Sequence, residues 1–442
     1  MVEKLPISDF TWTTLTKQQI QEYDPESETG YFVECDLSFP NELHDKFNCF
    51  PIAAEPLEIT QSVASPKSLE IRSKRYQDNI VEDAKEPSSS GPKHKLPSIG
   101  PEPKRNKIEQ KFSCIKLAPN LFPKSKYICH IRNLQFYLQE GANLDAVHRV
   151  LKFKQEAWLK PYIDYNTTKR QEATTDFKKT FHKLLNNAVF GKTMESVRRR
   201  VNVVLINKAR QHKYQTSKPG FKRFAIFDKD LVGVELVKPV VQLDKPVYVG
   251  AAVLELSKLT MMNFFYKVLQ PRFPGSELCF TDTDSLLVDI PTDDLYRDLT
   301  DLKEHLDLSN YPRNHPLYDP SNKAVLNKFK DECSGHVVKE FIGLRSKCYS
   351  ILVHEDGRYE QKSTAAGVKK SIKKSIHHEL YRTTLESESD YYITQNLLRS
   401  YKHTIFSVTQ KKVGLTAYDD KRYLLNDSIH TRAYGHYLNQ YE

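Results

Sequence analysis

"CFTDTDSLLVDI", residues 279–290, sets two aspartates and a serine inside an otherwise apolar run. Cys279 and Phe280, then Leu286, Leu287, Val288 and Ile290, suit a strand. Thr281 to Ser285 are the short polar residues that turns favour. The stretch therefore predicts a β-hairpin with Asp282, Thr283 and Asp284 at its tip. Two like charges on a tight tip repel each other. A hard cation relieves that repulsion, and a pair of carboxylates suits Mg2+. A solvated acidic turn is the plainer alternative, so the reading depends on the sequence around the hairpin.

Upstream, residues 200–280 alternate strand-like segments ("RRVNVVLI", "KRFAIF", "KPVVQLDKPVYVG") with one long apolar helix at about 251–268. Before them, Asn166 or Thr167 is placed to cap a helix that continues through residue 190. On that helix Phe177, Phe181, Leu184 and Ala188 form an apolar stripe. Lys179, Lys183 and Asn187 recur at i, i+4 and i+8 on roughly the opposite face. Phe190 and Gly191 follow near its end. A row of lysines on a rigid helix suits a triphosphate, whose charge each ammonium offsets; a solvated basic face is the alternative.

Downstream, "HVVKEFIGLRSKCYSILVHEDGRYEQK" predicts a strand pair. In "AAGVKKSIKKSIHHELY", helical spacing puts Lys369, Lys370, Lys373 and Lys374 on one face and Val368, Ile372 and Ile376 on the other. Four lysines without acids suit contact with a phosphate backbone, against the alternative of a solvated charge run.

The chain has 442 residues, 39% hydrophobic and 28% charged, with a formal net charge of +10. It can bury a core, and its basic excess favours an anionic partner, nucleic acid first. No apolar run approaches the ~18 residues that a membrane span needs, and "MVEKLPISDF" has no signal core. The seven cysteines are scattered without a C-x-x-C pair, which fits a reducing compartment, nucleus or cytoplasm. Within residues 66–110, the stretch 84–106 holds five prolines (Pro87, Pro92, Pro97, Pro101, Pro103), three consecutive serines and many lysines. That composition predicts a disordered insertion.

Together these segments resemble the family B DNA polymerases, in the protein-primed branch of viruses and mobile elements. "KLLNNAVFG" (183–191) is similar to the family's fingers motif, "FTDTDS" (280–285) to its palm motif, and "LRSKCYS" (344–350) to its primer-gripping K-x-Y motif. "QKKVGLTAYDDKRYLLNDSIHTRAYGH" (410–436) is similar to C-terminal tails of the mobile-element branch. The resemblance implies an α+β fold: a right-handed polymerase with palm, fingers and thumb, here a partial palm on an antiparallel sheet. Expected divisions are 1–65 for palm-associated strands, 66–110 for the insertion, 111–195 for connecting helices and fingers, 196–350 for palm, and 351–442 for thumb and tail.

The implied activity is nucleotidyl transfer from a dNTP to a primer 3′-hydroxyl on a DNA primer-template, with two Mg2+ ions. Asp284 would be the main metal ligand, supported by Asp282. Lys183 and Lys179 would bind the nucleotide phosphates, and Asn187 and Phe190 would shape the base-pair pocket. Lys347 and Tyr349 would hold the primer end. Lys369, Lys370, Lys373 and Lys374 would hold duplex. A terminal priming protein is a further implied partner, and a membrane is not.

The sequence departs from the family pattern in three places. Ala188 stands where Ser is usual, and Phe190 where Tyr is usual. The first palm motif, which supplies a second metal-binding aspartate, has no counterpart. Asp36 in "CDLSFPNEL" stands on what resembles the strand after that motif, so the resemblance places the aspartate, and an exonuclease domain, upstream of Met1. The expected protein is a C-terminal portion of a polymerase of doubtful activity alone. The alternative is a non-catalytic DNA-binding remnant of a mobile-element polymerase. A reverse transcriptase or RNA polymerase is disfavoured, because those palms usually carry adjacent aspartates and Thr283 separates these two.

Overall fold

A computed structural model describes residues 1–85, 113–355, 357–401 and 404–441. It is a mixed α/β structure with several small sheets, mostly antiparallel. The largest sheet has the order β1-β6-β2-β5. β1 (Leu5–Thr13) is followed by a short α1 (Lys17–Gln21), where Thr16 and Gln19 form a reciprocal capping box. β2 (Thr29–Ser38) lies inside the sheet, paired with both β5 and β6. Its alternation sends Val33, Cys35 and Leu37 into the main core. Gly30 sits where an added Cβ would lie 2.2 Å from the Phe153 ring, so only glycine lets these strands close.

After α2 (His44–Phe47), β3 (Glu55–Thr60) pairs with β4 (Ser113–Ala118). Between them lies α3 (Pro66–Lys85), which corrects part of the expected disordered insertion; residues 86–110 of that expectation fall outside the described residues. The helix forms because Ser65 accepts from the Ser68 N–H at 3.1 Å and Pro66 opens its first turn. Its Ile71 is fully buried, and its cations meet acids far along the chain, which composition alone cannot reveal.

β5 (Lys124–His130) leads into α4 (Ile131–Gln139), which packs Ile131, Leu134 and Phe136 into the main core. β6 (Asn143–Glu156) then pairs with β1 and β2. One sheet thus joins strands from both sides of the expected 66–110 insertion. α5 (Lys160–Gln171) and α6 (Asp176–Thr193) form a helical pair. Thr175 caps α6; Asn166 and Thr167 lie inside α5, bonding back to Tyr162 and Ile163. That corrects the expected cap.

β7 (Asn202–Ile206), α7 (Ala209–Thr216), β8 (Phe221–Asp228) and β9 (Leu231–Leu236) make a small unit with sheet order β7-β9-β8. The expected strand at 238–250 does not form; α8 (Val247–Asn263) begins there instead. It runs through a π-turn (Phe264–Leu269) into α9 (Gln270–Arg272) and delivers the chain to the acidic hairpin, β10 (Glu277–Thr281) and β11 (Leu286–Asp289). Leu278, Leu286, Val288 and Ile290 pack against the main core, and Leu256, Leu259, Phe265 and Leu269 are part of it.

A loop-rich segment follows, with α10 (Leu295–Asp298) and a parallel bridge between β12 (Leu306–Asp307) and β13 (Phe329–Lys330). The expected strand pair is in fact three strands: β14 (Val337–Arg345), β15 (Cys348–Glu355) and β16 (Arg358–Ala365). β15 runs across the expected palm–thumb division at 350/351. The expected lysine helix is interrupted. α11 (Lys370–Lys373) is a single turn, and α12 (His378–Ser387) starts afresh. Ile376, between the two helices, is fully buried in a second core with Ile342, Leu344 and Tyr381. Val368 and Ile372 pack on the same core, as their spacing predicts.

β17 (Tyr391–Tyr401) and β18 (Thr404–Leu415) form a long two-stranded ribbon. The tail carries β19 (Tyr423–Leu424) and β20 (Thr431–Arg432) and returns to the first part of the chain. Arg422 donates to the Asn48 carbonyl at 2.6 Å, and Leu121 N–H donates to the Tyr434 carbonyl at 2.7 Å. Among the described residues no helix is long and apolar enough to cross a membrane.

Glu388, left-handed (φ 57°) at the end of α12, clamps three segments together. Lys67 and Lys74 of α3 reach its carboxylate at 2.6 and 2.7 Å, and Ser428 of the tail donates to it. Burial works to raise its pKa. The hydrogen bonds from Lys67, Lys74 and Ser428 outweigh burial and hold it at about 2, below the ordinary 4.5. A carboxyl depressed on folding adds stability that is present above pH 4.5 and is lost as pH falls toward about 2. Urea denaturation across that window should show a steeper loss for the native chain than for E388Q, with the gap largest near neutrality and closing in acid.

Candidate functional site

The 279–290 hairpin forms as its residue pattern predicts. Thr281 faces Leu286 across the ladder, and a bulge at Cys279 shifts the register. Four residues make the turn. Asp282 N–H donates to the Ser285 carbonyl at 3.2 Å, and Asp284 N–H to the Asp282 carbonyl at 2.7 Å. Thr283 is left-handed (φ 64°), a conformation unusual for a β-branched residue. Asp284 is exposed and Asp282 half-buried.

A second turn meets this one. β14 and β15 are joined by Ser346 and Lys347, and Lys347 is also left-handed (φ 58°). Lys347 Nζ stands 3.3 Å from Asp282 Oδ1. Tyr349 lies against Phe280 with ring centroids 4.5 Å apart and against Phe341 at 6.1 Å. Residues about 65 apart in the chain thus form one ridge: an ion pair at its tip and two aromatic contacts behind it. Aromatic pairs in tilted arrangements add about 0.5–1.5 kcal/mol beyond their buried area.

The fingers-like residues lie on α6, which packs on α5 and α8. Lys183 and Asn187 are exposed, and Phe190 is half-buried. Lys179 has a long 3.7 Å pairing with Asp176. Among the described residues no hydrogen bond or ion pair joins Lys179, Lys183, Asn187 or Phe190 to the 282–285 turn. The apolar stripe on this helix stays largely open, with Phe177 77% and Leu184 62% exposed. Lys369, Lys370 and Lys374 are exposed around the short α11. Lys373 turns inward and donates to the Ser363 carbonyl at 2.8 Å, so the four lysines do not share one face.

Among the described residues no group of three or more His, Cys, Asp or Glu side chains is placed to hold an ion. Asp282 already faces an ammonium. Asp36, the other acid weighed from sequence, accepts from Lys126 N–H at 2.7 Å and from His148 at 2.8 Å. Those contacts, the backbone one first, hold its carboxyl below the usual range. The carboxylates present therefore do not by themselves fit a two-ion centre.

Sequence reading did not find the Asp282–Lys347 pairing or the polar contacts behind Tyr349. Ser350, next to Tyr349, meets His378 at 2.8 Å, and His378 meets Glu340 at 3.1 Å. Their separation in the chain leaves no periodic signal.

No protein-family model matches the chain, and no curated protein matches it. Among solved structures, the chain is similar to phi29 DNA polymerase in three forms. In the post-translocation binary complex with primer-template DNA the TM-score is 0.47 at 14% identity, over 93% of this chain and 54% of that one. In the orthorhombic crystal form it is 0.49 at 13%, over 93% and 55%. In the ternary complex with primer-template DNA and incoming nucleotide substrates it is 0.45 at 14%, over 93% and 55%. The chain spans about 55% of the length of the solved structures it matches.

The side chains of Asp282 and Lys347 are 38% and 59% exposed, so their pairing contributes little to stability. D282N and D284N should each change unfolding free energy by less than about 0.5 kcal/mol in chemical denaturation. A loss above about 2 kcal/mol would make these acids structural and remove them as a functional pair.

Proposed function

We propose that this chain carries part of the nucleotidyl-transfer site of a template-directed DNA polymerase, which joins a dNTP to a primer 3′-hydroxyl. The observation that carries the reading is the meeting of the two turns, Lys347 on Asp282 at 3.3 Å and Tyr349 on Phe280 at 4.5 Å. It sets an exposed cation and an aromatic ring beside the turn that holds the free Asp284 carboxylate. A primer end presents a phosphate, a sugar and a base, which such a ridge suits.

In this reading Lys347 and Tyr349 contact the primer terminus. Lys183 and Lys179 bind the nucleotide phosphates, and Asn187 and Phe190 shape the pocket for the new base pair. Lys369, Lys370 and Lys374 hold duplex backbone, and Lys373 supports β16 instead. Asp284 and Asp282 are this chain's share of a Mg2+ site, and at least one further carboxylate is needed to complete an ion pair. A terminal priming protein is a further partner in this reading.

A second reading, a DNA-binding chain without catalysis, is favoured by one specific observation: Asp282 is paired with Lys347, and among the described residues no group of three or more His, Cys, Asp or Glu side chains is placed to hold an ion. Two assays separate the readings. In the first, a primer ending in 4-thiothymidine is photo-crosslinked to the chain; adducts should map to residues 345–352 and 279–286 and fall in K347A and Y349A. Adducts scattered elsewhere would overturn both readings of this ridge. In the second, extension of a primed template with Mg2+ and dNTPs is compared for the native chain, D284A and D36A. Extension lost in D284A and kept in D36A supports the polymerase. Crosslinking without extension supports the non-catalytic reading.

A further inference from the structure

His378 opens α12 and is almost wholly buried against the three-stranded sheet. Both ring nitrogens are used. Nδ1 lies 2.8 Å from the Ser350 hydroxyl on β15, and Nε2 lies 3.1 Å from Glu340 Oε2 on β14. The backbone N–H of His378 donates to Gln361 Oε1 on β16 at 2.8 Å. One residue therefore touches all three strands. Glu340 also receives Arg382, one turn further along α12. The Arg382 guanidinium is the main cause that keeps the Glu340 carboxyl below its usual range. A carboxylate only accepts, so the hydrogen of the Nε2 contact lies on the ring, while Nδ1 pairs with the Ser350 hydroxyl.

A serine, a histidine and a glutamate in series have the connectivity of a nucleophile triad. Ser350 is 0% exposed, however, so no substrate reaches its hydroxyl. The arrangement holds elements together instead. Ser350 follows Tyr349, and alternation along β15 sends their side chains to opposite faces. Tyr349 meets Phe280 of the acidic hairpin, while Ser350 meets α12. Adjacent residues of β15 thus contact the acidic hairpin on one face of the strand and α12 on the other.

We propose that His378 is a positioning residue: through Ser350 and Glu340 it sets the β14–β15 turn, with Lys347 and Tyr349, against the 282–285 turn. The functional meaning rests on the reading that this ridge is a nucleotidyl-transfer site; the mechanical claim does not.

Hydrogen exchange followed by mass spectrometry on the full chain tests it without any substrate. H378F keeps a ring of similar size but loses both nitrogens. It should raise exchange about fivefold at 345–352 and also at 279–286, a segment that His378 itself does not touch. H378N, whose amide can still meet Ser350, should stay within about twofold of the native chain. S350A removes one hydroxyl and perturbs folding less, and it should shift both segments in the same direction as H378F. Increases confined to 376–387, or no increase at 279–286 in either H378F or S350A, would overturn the proposal. If the exchange pattern holds while the primer crosslinks and extension fail, the polymerase reading falls and the positioning role of His378 stands.

Discussion

Apolar anchoring of one hairpin organises this molecule. Leu278, Leu286, Val288 and Ile290 seat β10 and β11 on the main core, so the turn between them is presented outward with little freedom. Complete burial of such a side chain is worth on the order of 1.5–3 kcal/mol, and these four, each partly buried, together outweigh the exposed polar contacts of the turn. That surplus allows a left-handed Thr283 and two neighbouring carboxylates to persist at the tip. The second hairpin is fixed in the same manner: Ile342, Leu344 and Cys348 belong to a core of their own, while Lys347 and Tyr349 project from it. The ridge is built by two independent cores meeting at their edges.

The acidic hairpin was legible because its signal is local. Strand formers flank short polar residues, and nothing distant is required to place the turn. The same holds for the body of α6, whose periodicity lies within one element. Where reading failed, the deciding force came from elsewhere in the chain. Lysine spacing at 369–374 fits a helix, but only a single turn forms there, and Lys373 is drawn inward by the Ser363 carbonyl. Lysines and acids in 66–85 resemble a solvated tether, yet Lys67, Lys74 and Arg75 are matched by Glu388 and Asp390 more than 300 residues away. Asn166 and Thr167 are good caps in isolation; inside α5 their side chains bond back to the preceding turn instead.

The candidate site was legible in its residue types and less so in its arrangement. Sequence gives two acids at a tip and a lysine and tyrosine in a separate strand pair. It does not show that Lys347 turns to Asp282, which leaves Asp284 as the uncommitted acid. Nor does it show that Lys373 points inward, which leaves three lysines of the four available to a polyanion. Both outcomes follow from which carbonyl or carboxylate stands within reach once the sheets have formed. Charge patterning reports capacity, and tertiary geometry selects from it.

The path of the tail has a consequence for biogenesis. Tyr434 and Ala433 are buried, Tyr434 accepts from Leu121, Tyr437 donates to His44, and Arg422 closes on Asn48. Arg422 and Tyr437 thus close on a layer that lies 374 to 393 residues earlier in the chain. During synthesis that early layer must wait, unsealed, until residues 422–437 have emerged from the ribosome. While it waits, its exposed edge is open to chaperones and to aggregation.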